Sequence, residues 1–336
     1  KACGFQKGAK YREPNQLEIA IARLKDGYND RAYIRRAVKL LTEFVQKLSG
    51  EEQQFVYQLL TENELLHHYT ATKDTIFDVY EKIKELYESK RSHSFRNRYV
   101  DFNQGVDARR ITDEKMAKLS EIAIRPLRIA FDDWQKHDIY QQAIELAAKH
   151  KITNLSNYLL YNFKDEPIEL YRRLKLNIDL CETLGVNIYS FPMKYHPIMD
   201  TKYFQNREYT GIHWNRKFIR AIQAVLNATK GKIGRGKSFF EKAFGANEDE
   251  FYKILYMPET FIIYRFYFEG TGQTENWWNE YRDLSPKNKK IADAVIHTND
   301  FSAIERYITN KAVYHVLGYY AISRDKAEKE LRCFQK

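Results

Sequence analysis

Cysteine is scarce in this chain, and its scarcity excludes one class of protein. Only Cys3, Cys181 and Cys333 occur among 336 residues. An odd number of cysteines so far apart does not form the disulfide framework of a small secreted domain. A reducing compartment is therefore expected, and we predict a cytoplasmic location.

Glycine and proline are also few, with 14 and 7 residues, which favours long helices over loop-rich β structure. No run of about 18 apolar residues occurs, so the sequence predicts neither a membrane-spanning helix nor a membrane partner. Charge and aromatic rings are abundant instead: 55 Lys and Arg stand against 45 Asp and Glu, with 25 Tyr and 20 Phe. A basic, aromatic-rich surface could bind RNA or DNA, although many soluble enzymes carry a similar excess.

The spacing of apolar residues divides the chain into three predicted segments. Residues 1–98 are mostly helical, residues 99–197 alternate short apolar runs with helical patterns, and residues 198–336 are mainly helical. The apolar runs are 99–102, 127–131, 157–161 and 187–191, and the helical patterns between them are 113–123, 139–150 and 167–184. Such alternation predicts a parallel sheet with crossover helices, either curled as a barrel or open.

Polar side chains cluster where the predicted strands end. The first strand runs into NQGVDAR, which supplies Gln104, Asp107 and Arg109. In parallel α/β folds, ligands bind at the carboxyl ends of the strands, so this cluster predicts a ligand site. The alternative is a structural loop in which Arg109 pairs with Asp107 or a neighbouring carboxylate.

The chain resembles a group of radical S-adenosylmethionine (SAM) proteins. Three stretches are similar to the barrel of that group: YVDFNQGVDARRITDEKMAKLSEI, IRPLRIAFD and LSNYLLYNFKDEPIELYRRLKLNIDLCETLGVNIYSFPMKYHP. Two later stretches are similar to its helical extension: WNRKFIRAIQAVLNATKGKIGRGKSFFEKAFG and FYKILYMPETFIIYRF. Together they cover about residues 99–266. The fold implied is a partial parallel (βα) barrel, with a helical N-terminal segment and a mainly helical C-terminal extension.

The resemblance implies two cofactors, a [4Fe–4S] cluster and SAM. Three Cys thiolates bind three irons of such a cluster, SAM chelates the fourth, and an electron from a reductant protein leads to a 5′-deoxyadenosyl radical. Some members of the group also use cobalamin, bound by a domain ahead of the barrel. The substrate stays open, whether small molecule or macromolecule. The ligand-facing residues that the resemblance implies are Gln104, Asp107 and Arg109, with Arg109 on the SAM carboxylate, and Arg128, Asn157 and Tyr161 towards ribose and adenine.

The cysteine motif of the group, C-x-x-x-C-x-x-C, is not present in this chain. Its first residues read KACGFQKGAK, and Cys3 is the predicted metal ligand if it is the third cysteine of a motif that begins ahead of Lys1. Otherwise Cys3 is an ordinary thiol and the protein has no cluster. Cys181 is predicted to lie in the core and Cys333 to be incidental. A second departure is that residues 14–90 contain no convincing strand.

Two functions therefore follow from the sequence. The first is a radical SAM enzyme of unknown substrate, and the second is a non-catalytic nucleic-acid-binding or assembly protein that has lost the cluster. A third possibility is an NTPase, because Gly231 to Ser238 reads GKIGRGKS, the P-loop pattern. A P-loop follows a buried strand, whereas FIRAIQAVLNATK has helical spacing. A basic turn between two helices that touches phosphate is the preferred interpretation.

Overall fold

The computed structural model describes residues 10–11, 15–27, 29–90, 96–97, 99–204 and 208–334. The chain divides into two compact units, Lys1–Arg98 and Tyr99–Lys336. Among the described residues, no helix is both long and apolar enough to cross a membrane.

Four helices build the described part of the first unit. They are α1 (Gln16–Lys25), α2 (Asp30–Val45), α3 (Gly50–Glu62) and α4 (Lys73–Ser89), and the short strands β1 (Lys10–Tyr11) and β2 (Arg96–Asn97) pair antiparallel. Each helix has apolar residues three and four positions apart, which places them on one face. These faces meet in a core that includes Leu41, Val56 and Ile76, all fully buried. Asn15 caps α1 by accepting a hydrogen bond from the backbone N–H of Glu18.

The predicted partial (βα) barrel is wrong. The second unit contains a parallel sheet of three strands, in the order β3 (Leu127–Arg128), β4 (Asn154–Tyr161) and β5 (Asn187–Lys194). Helices make up 63% of the structure and strands only 8%, too little for a barrel wall. The predicted strand at 99–102 is reduced to a single bridge between Val100 and Ile124.

Three crossover helices accompany the sheet: α5 (Asp113–Glu121), α6 (His137–Lys149) and α7 (Pro167–Leu184). Helix α7 has the predicted bounds, because Pro167 suits a first helical turn and Gly185 ends the helix at φ 65°. Helix α7 covers one face of the sheet, where Leu155, Leu159 and Ile188 are buried, and α6 packs against α7. The opposite face carries the half-buried side chains of Tyr158, Tyr189 and Phe191, together with the buried Ser156.

The remaining helices follow β5. They are α8 (Thr201–Phe204), α9 (Arg216–Ala228), α10 (Lys237–Phe244), α11 (Glu248–Tyr256), α12 (Glu259–Ile263), α13 (Arg265–Gly270), α14 (Gln273–Arg282), α15 (Pro286–Thr298), α16 (Lys311–Tyr320) and α17 (Arg324–Phe334). Helix α9 packs against α11, α12 and α15, and it is buried on most of its surface. It therefore forms the centre of the helical region.

Candidate functional site

The NQGVDAR segment is a compact loop bound to the edge of β3. The backbone N–H of Val106 donates to the carbonyl of Arg128 at 2.8 Å, and Ala130 N–H donates to the carbonyl of Val106 at 3.1 Å. Gly105 has φ 78°, and a Cβ there would lie 3.4 Å from the Arg128 carbonyl oxygen. A glycine is therefore favoured by the backbone angle, whereas a Cβ would make only an ordinary van der Waals contact with β3.

A cavity of about 320 Å³ opens between this loop and the start of α6. Gln104, Asp107 and Arg109 line it from the loop side. The other polar lining residues are Asp132, Asp133 and Lys136, and the apolar ones include Val106, Phe131, Ile139 and Tyr140. The cavity thus lies at the carboxyl end of the parallel sheet and carries charges of both signs.

Arg109 and Asp107 form an ion pair within the loop. Arg109 Nε donates to Asp107 Oδ1 at 2.9 Å, and Nη2 donates to Oδ2 at 2.7 Å. These bonds hold the pKa of Asp107 down at about 2. This pairing is the structural alternative that the sequence left open for Arg109. It uses Nε and Nη2 of the guanidinium, and Nη1 has no partner in the described part of the chain.

The opposite wall holds two aspartates in fixed positions. Asp133 accepts a hydrogen bond from Lys136 Nζ at 2.8 Å, which is the main reason that its pKa lies below the usual value. Asp132 Oδ1 accepts from the backbone N–H of Leu160 at 3.3 Å, and this contact joins the segment after β3 to β4.

A buried arginine that sequence reasoning missed supports this wall. Arg173 on α7 is fully buried, and its Nη1 donates to the carbonyls of Phe131 at 3.3 Å and Asp132 at 3.1 Å. Its Nη2 lies 3.3 Å from the carboxylate of Asp165, in the loop after β4. One side chain thus holds the loops after two neighbouring strands. The only sequence signal was the paired arginines in YRRL.

Arg128 lies on the half-buried face of the sheet. It forms a bidentate pair with Asp101, with both N–O distances at 2.8 Å, and its guanidinium lies 5.4 Å from the ring centroid of Tyr158. Arg128 also donates to the hydroxyl of Ser156 at 3.2 Å. It does not line the cavity of the NQGVDAR loop.

Asn157 and Tyr161 lie on the helix-covered face. Asn157 is 1% exposed and donates from Nδ2 to the hydroxyl of Tyr140 at 2.7 Å. Tyr161 is 2% exposed and packs beside the ring of Trp214. The structure therefore brings Gln104, Asp107 and Arg109 together around one cavity, which the other three predicted site residues do not line.

The described residues contain no group of three His, Cys, Asp or Glu side chains that could hold a metal. Cys181 is fully buried, as predicted, and its Sγ accepts a hydrogen bond from Ile188 N–H at 3.3 Å. Burial raises its pKa, which disfavours the thiolate that iron requires. Cys3 and the side chain of Cys333 lie outside the described residues.

No protein-family model, curated protein or solved structure matches this chain. What the cavity can bind therefore has to be inferred from its own side chains. Arg109 and Lys136 are cations, Asp107, Asp132 and Asp133 are carboxylates, and Gln104 adds an amide. Such a set suits a ligand that carries an anionic and a cationic group on one body.

Proposed function

We propose that the chain binds SAM in the cavity of the NQGVDAR loop and forms the SAM-binding part of a radical SAM enzyme. One observation carries the proposal: Gln104, Asp107 and Arg109, to which the resemblance gives ligand-facing roles, line the same cavity. That cavity lies at the carboxyl end of a parallel sheet, where open α/β folds bind their ligands.

The charges of the cavity fit the methionyl end of SAM, which has a carboxylate and an ammonium group. The unoccupied Nη1 of Arg109 is a donor for the carboxylate. Asp132 lies across the cavity and is an acceptor for the ammonium group. Arg173 holds the backbone of Asp132 in place, so the acceptor does not depend on a mobile loop.

The cluster part of the proposal depends on Cys3 alone among the residues of this chain. The described residues supply no ligand set, so the role of Cys3 comes from the resemblance and needs its own test. A reductant protein and a cytoplasmic location belong to the same proposal. The scarcity of cysteine supports the location.

SAM binding is tested first by titration calorimetry on the intact chain, with Arg109→Gln and Arg110→Gln side by side. The neighbouring Arg110 is the matched control, because it is also exposed but does not line this cavity. Loss of a hydrogen bond to a charged group costs about 1.5–3 kcal/mol, so Arg109→Gln should weaken SAM binding by about 10- to 100-fold. Arg110→Gln should bind SAM like the original chain.

A second ligand separates the carboxylate contact from general damage to the cavity. 5′-Methylthioadenosine retains the nucleoside but has no methionyl carboxylate, so Arg109→Gln should leave its affinity unchanged. Equal SAM affinities in the Arg109 and Arg110 variants would contradict the proposed role of Arg109. Absence of SAM binding by the original chain would overturn the proposal as a whole.

The role of Cys3 is tested by anaerobic reconstitution of the natural gene product that contains this chain. Iron content and reductive formation of 5′-deoxyadenosine are measured in the original protein, in Cys3→Ala and in the control Cys333→Ala. If Cys3 is a cluster ligand, only Cys3→Ala loses iron and product. Retention of a full cluster in Cys3→Ala would show that Cys3 is an ordinary thiol.

A further inference from the structure

The GKIGRGKS segment is a basic loop between two helices, as its spacing predicts. Helix α9 precedes it, and α10 begins at Lys237. The buried strand that a P-loop requires is therefore replaced by a helix. The motif needs another explanation, since it holds three cations, Lys232, Arg235 and Lys237, and Lys230 directly precedes it.

These cations are exposed and largely without carboxylate partners. Lys230, Lys232, Arg235 and Lys237 are all exposed. Within the described part of the chain, the first three have no ion pair, and Lys237 lies 4.0 Å from Glu241, at the limit of such a contact. Four like charges close in sequence repel one another, so the loop favours a polyanion that neutralises them.

The loop is held in a defined position on the sheet edge. Ile233 is 1% exposed and pairs with Ser190 of β5 through two backbone hydrogen bonds, at 2.7 and 2.9 Å. The two flanking residues face Tyr189: Lys232 Nζ lies 3.7 Å from its ring centroid, and Gly234 lies against its ring. The cations are thus presented from an anchored backbone, which lowers the entropy cost of binding.

Aromatic rings lie among these charges. Tyr189 is half-buried beneath Lys232, and Phe239 in the first turn of α10 is 54% exposed. Single-stranded nucleic acids combine a charged backbone with bases that stack on aromatic side chains. A loop with four exposed cations and the exposed ring of Phe239 matches both features.

We infer that this basic loop, Lys230–Lys237 with Tyr189 and Phe239, is a contact surface for single-stranded nucleic acid. The cations bind backbone phosphates and Phe239 stacks with a base. The inference does not depend on SAM binding, because the loop and the NQGVDAR cavity share no residue. It applies equally to an enzyme that modifies nucleic acid and to a protein that only binds it.

The test is fluorescence anisotropy with a labelled 20-nucleotide RNA, and with DNA of the same sequence, at several salt concentrations. The loop variant combines Lys230→Gln, Lys232→Gln, Arg235→Gln and Lys237→Gln. The matched control changes four other exposed lysines to Gln: Lys287, Lys290, Lys311 and Lys329. Both variants lose the same net charge, so a difference between them reports on the position of the charges.

The loop variant should bind at least about 10-fold more weakly than the control at 0.1 M salt. Its plot of log affinity against log salt should be shallower by about 3, since each phosphate contact to a single strand contributes about 0.7. Phe239→Ala should weaken binding with little change in slope. Circular dichroism verifies that the variants keep their helices.

Three outcomes would overturn the inference. The first is a failure of the affinity test: the original protein binds neither RNA nor DNA at 0.05 M salt, or the loop and control variants bind each nucleic acid with equal affinity. The second is preferential binding to vesicles that contain phosphatidylserine, which would identify the loop as a membrane contact. The third is magnesium-dependent ATP binding that Lys237→Ala abolishes, which would restore the NTPase interpretation.

Discussion

Lys217 is the residue whose burial has the clearest energetic consequence. It lies on α9, is fully buried, and its Nζ has no hydrogen-bond partner among the described residues. Burial lowers its pKa to about 7, and the opposing attraction of Glu259 does not compensate. Glu259 already pairs with Arg220 at 2.7 Å and with Arg324 at 2.5 Å. A charged Lys217 is therefore a destabilising group.

We expect Lys217→Met to stabilise the protein most at pH 7 and below. The folded-state pKa of about 7 lies below the unfolded value of 10.5, so the unfolded chain binds more protons between these pH values. The Lys217 penalty is thus complete below pH 7 and disappears as the pH rises towards 10. The gain from Lys217→Met, on the order of a few kcal/mol at pH 7, should shrink over the same range.

Urea unfolding of the original chain and of Lys217→Met at pH 6.5, 8.0 and 9.5 measures the difference in their free energies of unfolding. Lys290→Met is the control, because Lys290 is exposed and should show no pH-dependent gain. If the free energies of unfolding of the original chain and Lys217→Met differed by the same amount at all three pH values, Lys217 would not be a buried charge with a lowered pKa.

One reason explains why the sequence did not show which face of its helix or strand each of three residues lies on: Lys217, Asn157 and Tyr161. Helix α9 and strand β4 are buried on more than one side, so apolar residues occur on both faces and do not identify the side on which a polar residue lies. In a strand, a shift of one residue reverses the face of every side chain. Gln104, Asp107 and Arg109 were easier to bring together, because they are close in sequence on one loop.

At the scale of elements, the helices were predictable and the barrel was not. Local signals define α7, namely Pro167 in its first turn and Gly185 after its last. Strand pairing instead depends on partners distant in sequence. Residues 99–102 read as a strand, but Val100 forms a single bridge. Four helices lie within residues 16–89, a segment in which the sequence shows no convincing strand. A period of about 30 residues predicts βα units but not how many strands join.

The segment between α8 and α9 should be destabilised by any side chain at Gly211. A Cβ there would lie 2.5 Å from the carbonyl oxygen of Phe163 and 2.9 Å from backbone atoms of Asn162. Asn162 in turn binds the loop through Oδ1, which accepts from Gly211 N–H at 2.8 Å. Gly211→Ala must therefore move backbone that is held on both sides, and we expect a loss of roughly 1–3 kcal/mol.

Gly318→Ala is the matched control for this substitution. Gly318 lies inside α16, and a Cβ there meets nothing within 4 Å. Alanine is the better helix former, so this variant should gain roughly 0.5–1 kcal/mol. Thermal unfolding of both variants measures these changes in stability. If Gly211→Ala were as stable as the original chain, the contact of Gly211 with the backbone of Asn162 and Phe163 would be loose.

At the scale of the molecule, the two units have separate hydrophobic cores. Every buried core residue of the first unit lies between Leu17 and Ile83, and those of the second lie between Met116 and Ala327. No residue belongs to both sets among the described positions. Since burial of apolar surface is the main stabilising contribution, each unit has its own source of stability.

We therefore expect the units to unfold as separate transitions, and the tryptophans allow this to be measured. All four, Trp134, Trp214, Trp277 and Trp278, lie in the second unit, so fluorescence reports on that unit while circular dichroism reports on both. Leu41→Ala in the first core should cost about 2–5 kcal/mol and shift the dichroism curve alone. Leu174→Ala in the second core should shift the fluorescence curve as well. If Leu41→Ala moved the fluorescence midpoint as far as the dichroism midpoint, the two cores would form a single cooperative unit.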